Sequence, residues 1–100
     1  MAVYFLTRKA LNDLAEIWDH TVKRWSEEQA DKYYRLLIEE FISISENPEL
    51  GKKYSHIQPD LFASIFKRHL IFYRKISPGK IEITRILHQS MDVQFHVKET

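Results

Sequence analysis

The stretch HLIFYRKISPGKIEITRILH, residues 69–88, decides the fold class. Residues 69–76 are dense in β-branched and aromatic side chains, Ser77, Pro78 and Gly79 have turn chemistry, and residues 80–87 resume a β-prone run. So short an interruption joins strands as antiparallel neighbours. Residues 61–67 have the same character, which predicts a three-stranded antiparallel meander. The period of two in the last strand puts Ile81, Ile83 and Arg85 on one face and Glu82, Thr84 and Ile86 on the other.

Upstream the period changes. Leu11, Leu14, Ile17, Trp18, Val22 and Trp25 recur at three- and four-residue steps, the stripe of a core-packed helix, with Asp13, Glu16, Asp19 and Lys23 turned away. Thr7 stands where an N-cap belongs, and Leu6 and Leu11 are spaced as a hydrophobic staple. Ser26 and Gln29 fit a capping box, with Glu27 and Glu28 in the first turn where the helix dipole favours negative charge. A second helix then carries Ala30, Tyr33, Tyr34, Leu37, Ile38, Phe41 and Ile44, and stops at Asn47 before Pro48. With almost no loop between them, the two helices form an antiparallel hairpin.

Residues 2–6 form a short β-prone run ahead of the first helix, and residues 49–59 read as a surface loop carrying Gly51, Lys52, Lys53, Tyr54 and His56. The order β-α-α-β-β-β predicts an α+β fold: an N-terminal helical hairpin packed on a small antiparallel-rich sheet, with the N-terminal strand at one edge. The second face of the sheet is expected to lie open, either as a docking surface or simply wetted by solvent. Residues 1–100 carry no repeat, linker or low-complexity tract, and are read as one domain.

Composition excludes several classes. The chain has 100 residues and no cysteine, which removes thiolate metal sites and cysteine nucleophiles and suits a reducing cytoplasm. The apolar run of residues 1–6 is too short for a signal-peptide core, and no stretch approaches the ~18 apolar residues of a membrane span. These features predict a cytoplasmic protein without membrane contact. Net charge is +1, but residues 1–50 hold six Lys/Arg against ten Asp/Glu, and residues 51–100 nine against four. A basic C-terminal half points to an anionic partner, or to the other half of the chain.

The densest polar cluster comprises Lys67, Arg68, His69, Tyr73, Arg74 and Lys75, joined by Arg85, His88 and Gln89 at the end of the last strand. Cross-strand neighbours lie roughly 5 Å apart, so several of these groups are expected to converge on phosphates or carboxylates. The alternative is structural: Tyr73 packs, Arg74 and Lys75 are solvated, and His69 and Arg85 bond backbone groups or Asp92. His88 and Asp92 would meet if a helical turn follows the last strand. The five histidines, His20, His56, His69, His88 and His96, show no recognised metal spacing, and neither a Gly-rich phosphate loop nor a nucleophile elbow is present. No metal and no cofactor is expected. The spacing of Trp18, Trp25, Tyr33 and Tyr34 favours core packing over base stacking.

Read in order, Leu6-Thr7, Ala10, Asp13-Leu14, Ile17-Trp18, Trp25, Gln29-Ala30, Tyr33, Pro48, Gly51, His69, Phe72-Tyr73-Arg74, Ile83, Arg85-Ile86-Leu87-His88 and Met91-Asp92 resemble the ParE family of bacterial toxins over nearly the whole chain. The closing Arg-Ile-Leu-His-Gln-x-Met-Asp stretch after His-x-x-Phe-Tyr-Arg is the most specific part. The resemblance implies a RelE-like fold, inhibition of DNA gyrase without catalysis, and a ParD-like antitoxin that wraps the toxin and mediates any contact with operator DNA. It places the effector region among Arg68, His69, Tyr73, Arg74, Arg85, His88, Gln89, Met91 and Asp92. RelE-type relatives of the same superfamily cut messenger RNA on the ribosome. In that alternative Arg68, Arg74 and Arg85 would carry phosphate charge and His88 would transfer the proton. A third possibility is an inactive member that only binds its antitoxin. Ser26, Lys52 and Lys67 depart from the glycine, arginine and glycine frequent in the family at those places, and Lys67 adds positive charge.

Overall fold

A computed structural model describes residues 3–90; the expectations placed on Met91, Asp92 and His96 fall outside these residues. The elements are β1 (Val3–Leu6), α1 (Arg8–Arg24), α2 (Glu27–Glu46), a 3₁₀ turn (Pro48–Leu50), β2 (Lys52–Lys53), β3 (Phe62–Phe66), β4 (His69–Ser77) and β5 (Lys80–His88). Both helix starts follow from their caps. The Thr7 hydroxyl accepts from the Ala10 amide at 3.1 Å and the Ser26 hydroxyl from the Gln29 amide at 3.0 Å, each satisfying a donor that the first helical turn leaves unpaired.

The strands form one sheet in the order β1-β5-β4-β3-β2, antiparallel except where β1 joins β5 in parallel at the edge. The helical hairpin covers one face. Ala10 and Leu14 of α1, Leu37, Phe41 and Ile44 of α2, and Phe62, Ile71, Tyr73, Ile81, Ile83 and Ile86 of the sheet make the main core. Each large aliphatic or aromatic side chain buried there contributes roughly 1.5–3 kcal/mol.

The second face of the sheet is open only in part: Phe5 and Ile65 are 52% and 69% exposed there, but its middle is covered. Leu61, Ala63, Leu70, Phe72 and Leu87 form a separate small core on it, with Tyr54 and Ile57 packed against them. The connecting segment is ordered for this purpose. Tyr54 sets its ring edge-on to Phe72 at 5.3 Å, and its amide donates to the Leu61 carbonyl at 2.8 Å. The segment also contains β2, a strand too short to leave a periodic signal.

The faces of β5 are also redistributed. Phe72 pairs with Arg85 but Tyr73 pairs with Ile83, so Thr84 is an extra residue in a β-bulge. The bulge shifts the alternation by one. Ile86 therefore joins Ile81 and Ile83 in the main core instead of facing away from them. On α1, Asp13 is buried instead of turned outward, while Leu11 is 50% exposed and Trp25, just past its end, 69% exposed.

Candidate functional site

The sequence-predicted cluster divides into a buried clamp, a packed tyrosine and two surface groups at opposite ends of β4. β1 ends at Leu6, opposite Ile83, while β5 runs on to His88, leaving the second half of β5 without a strand on that side. Side chains at the start of α1 take over. The Thr7 hydroxyl donates to the Thr84 carbonyl at 2.8 Å, and Asp13 Oδ2 accepts the Ile86 amide at 2.9 Å. The same carboxylate holds Arg85 in a two-point pair, Nε to Oδ2 at 2.8 Å and Nη2 to Oδ1 at 3.0 Å. Both side chains are 10% exposed. Arg85 is thus a clamp between helix and sheet, and its partner is Asp13.

Tyr73 is 1% exposed and stacks on Phe62 with ring centroids 5.6 Å apart. Its hydroxyl donates to the Pro48 carbonyl at 2.7 Å, and burial pushes its pKa up. A Cβ on Gly51 would run into that hydroxyl and lie 2.9 Å from Cζ, so the glycine is needed for close approach. Arg74 and Lys75 lie toward the far end of β4: Arg74 faces Glu82 across the strand pair, and Lys75 donates to Glu49 at 2.8 Å while its Nζ stands 5.0 Å from the Phe62 ring centre. The bond from Lys75 lowers the Glu49 pKa.

The groups that do converge are at the opposite end. A two-residue turn, Lys67-Arg68, joins Phe66 to its partner His69, and His69 pairs across the sheet with His88. The two imidazoles meet edge to face at 5.6 Å. His69 Nδ1 shares a 2.7 Å hydrogen bond with the Tyr33 hydroxyl, and Lys67 Nζ sits 5.7 Å above the Tyr33 ring and 5.8 Å from that of Phe66. Burial, and then the neighbouring His88 and His20, lower the His69 pKa to about 4, so its ring is neutral at pH 7. Gln89 donates its amide to the Arg68 carbonyl at 2.9 Å, and His88 Nδ1 shares a 2.7 Å bond with the Ser90 hydroxyl. Arg74 lies five positions beyond His69 on β4, roughly 16 Å along the strand. Arg68, Arg74, Arg85 and His88 therefore do not meet at one point.

Two participants were missed in the sequence. Asp13 was assigned to the outer face, although it adjoins Leu14 and stands three positions from Ala10, both buried. Tyr33 was recognised only as a packing residue. On the outer side of the hairpin, Leu11, Leu14, Ala15, Trp18, Asp19 and Tyr34 line a groove of about 300 Å³. Among the described residues no three His, Cys, Asp or Glu side chains are placed to hold a metal, and no helix is long and apolar enough to cross a membrane.

A capped helical hairpin on a bulged five-stranded sheet, fastened by a buried carboxylate–guanidinium pair, is a small α+β fold. A solved structure described as the chromosomal ParDE TA system from P. aeruginosa has the same fold, with a TM-score of 0.73 over 88% of this chain and 96% of that one at 24% identity. The chain belongs to the ParE toxin family of type II toxin–antitoxin systems, whose profile matches residues 4–93. It is 38% identical over 90 residues to Toxin ParE1 of Mycobacterium tuberculosis (strain ATCC 25618 / H37Rv), covering 90% of this chain and 92% of that protein. It is 35% identical over 97 residues to Toxin ParE1 of Caulobacter vibrioides (strain ATCC 19089 / CIP 103742 / CB 15), covering 97% and 99%.

Proposed function

We propose that this toxin inhibits DNA gyrase by binding it, and that a ParD-like antitoxin holds it inactive. The carrying observation is the family match over residues 4–93. The site chemistry supports binding over turnover. Arg85 is occupied by Asp13 and Arg74 lies roughly 16 Å along the sheet from the His69–His88 pair, so Arg68, Arg74, Arg85 and His88, the set of the nuclease alternative, are not brought together. The effector surface in this reading is the corner of Arg68, His69, His88 and Gln89, with Met91 and Asp92 of the sequence added to it, while Tyr73 and Arg85 are scaffold.

The antitoxin's seat is the apolar groove between α1 and α2, where Leu11, Trp18 and Tyr34 offer an amphipathic segment its anchors. Such a segment would fold on binding, and the antitoxin's own DNA-binding part would bring the pair to operator DNA. The cytoplasm is the compartment this requires.

Induction of the toxin gene in growing cells, alone and with the antitoxin gene, tests the reading. The expected result is growth arrest with a DNA-damage response and intact messenger RNA, reversed by the antitoxin. Cleaved messenger RNA without DNA damage, together with loss of toxicity in His88→Ala, would instead identify a ribosome-dependent nuclease.

A further inference from the structure

We propose that the corner formed by Lys67, Arg68, His69 and His88 is a binding site for the phosphodiester backbone of nucleic acid. This goes beyond gyrase inhibition, because it makes the toxin itself a nucleic-acid ligand. Four observations lead to it.

Lys67 holds a backbone φ of 55°, a conformation that glycine adopts without strain and lysine does not. Strained residues persist where surrounding structure and use retain them. The strain is accompanied by placement: the turn puts the Lys67 ammonium over the Tyr33 and Phe66 rings, and Arg68 follows it in the same exposed turn. The turn is also held in place, since the Gln89 amide bonds the Arg68 carbonyl and Tyr33 bonds His69. Less side-chain and loop freedom is then lost on binding.

Among the described residues this charge has no carboxylate partner: none lies within ion-pair distance of Lys67, Arg68, His20, His69 or His88, whereas Lys75 and Arg85 each have one. Lysine and arginine beside imidazoles suit a phosphodiester: the cations meet its charge, and the imidazoles add hydrogen-bonding groups and flat rings that an adjoining nucleotide can contact.

Fluorescence anisotropy of the full chain with a short labelled DNA duplex of arbitrary sequence, titrated with salt, tests the site. The expected slope of log affinity against log salt is about −2, as for two neutralised phosphates. Lys67→Gly and Arg68→Gln should each weaken binding about fivefold and reduce the slope by about one. Because Lys67→Gly relieves the turn, its loss of binding is not a loss of folding. Absence of binding at low salt, unchanged binding by both variants, or polyglutamate competing as well as DNA would each overturn the proposal. The assay contains no gyrase, so its failure leaves the toxin reading untouched.

Discussion

Removing the Asp13 carboxylate strands the Arg85 guanidinium where the side chain is 10% exposed and leaves the Ile86 amide without its acceptor. Breaking a buried pair from one side costs ~3–5 kcal/mol, far more than an exposed pair contributes. Asp13→Ala is expected to lose about that much in urea denaturation, and the double variant Asp13→Leu/Arg85→Met to recover the part due to the stranded guanidinium but not that of the Ile86 amide. Near-wild-type stability of Asp13→Ala would mean that the clamp contributes little. His69 gives a pH dependence of known sign. Its folded pKa of about 4 lies below the ordinary 6.5, so as pH falls the unfolded chain takes up this proton first. The stability from this residue is complete above pH 6.5 and drains away toward pH 4. His69→Gln, which can still bond Tyr33 but does not titrate, should show a flatter melting temperature between pH 6.5 and 4 than the wild type.

Among the elements, the two helix starts differ in a measurable way. Ser26 caps α2 alone, whereas Thr7 caps α1 and also bonds the Thr84 carbonyl of β5. Ser26→Ala should cost ~1 kcal/mol and Thr7→Ala toward ~2 kcal/mol. Equal losses would indicate that the bond from Thr7 to β5 adds nothing. At the β3–β4 turn, Lys67→Gly should raise stability by ~1 kcal/mol, the cost of holding lysine at positive φ. Both caps were legible in the sequence because capping depends on residue type at a fixed spacing. The bulge at Thr84 was not, since a strand with one extra residue has the same composition as a regular one. Ile86 was put on the wrong face for that reason. Asp13 escaped notice because a buried carboxylate is recognised by its partner, and Arg85 lies 72 residues away.

At the scale of the whole molecule, the element order and the edge position of β1 followed from periodicity, caps and turn residues. The second core did not. Tyr54 and Ile57 sit in an aperiodic segment, and only the fold brings them over Phe72 and Leu87. Tyr54→Ala should therefore destabilise the chain by ~3 kcal/mol, as for loss of a packed aromatic ring. A loss of a few tenths, as at an ordinary surface tyrosine, would show that the loop is not part of the core. The candidate site was legible only in part: Arg68, His69, His88 and Gln89 do meet, but Tyr73 and Arg85 went to packing and Arg74 to the far end of its strand.

The most direct test of the central claim uses purified toxin, gyrase, supercoiled plasmid and ATP, with reactions stopped by detergent and protease. Linear DNA that appears with toxin and is suppressed by its antitoxin is the predicted result. Plasmid that stays intact, with supercoiling undisturbed at toxin in large excess over gyrase, would contradict it.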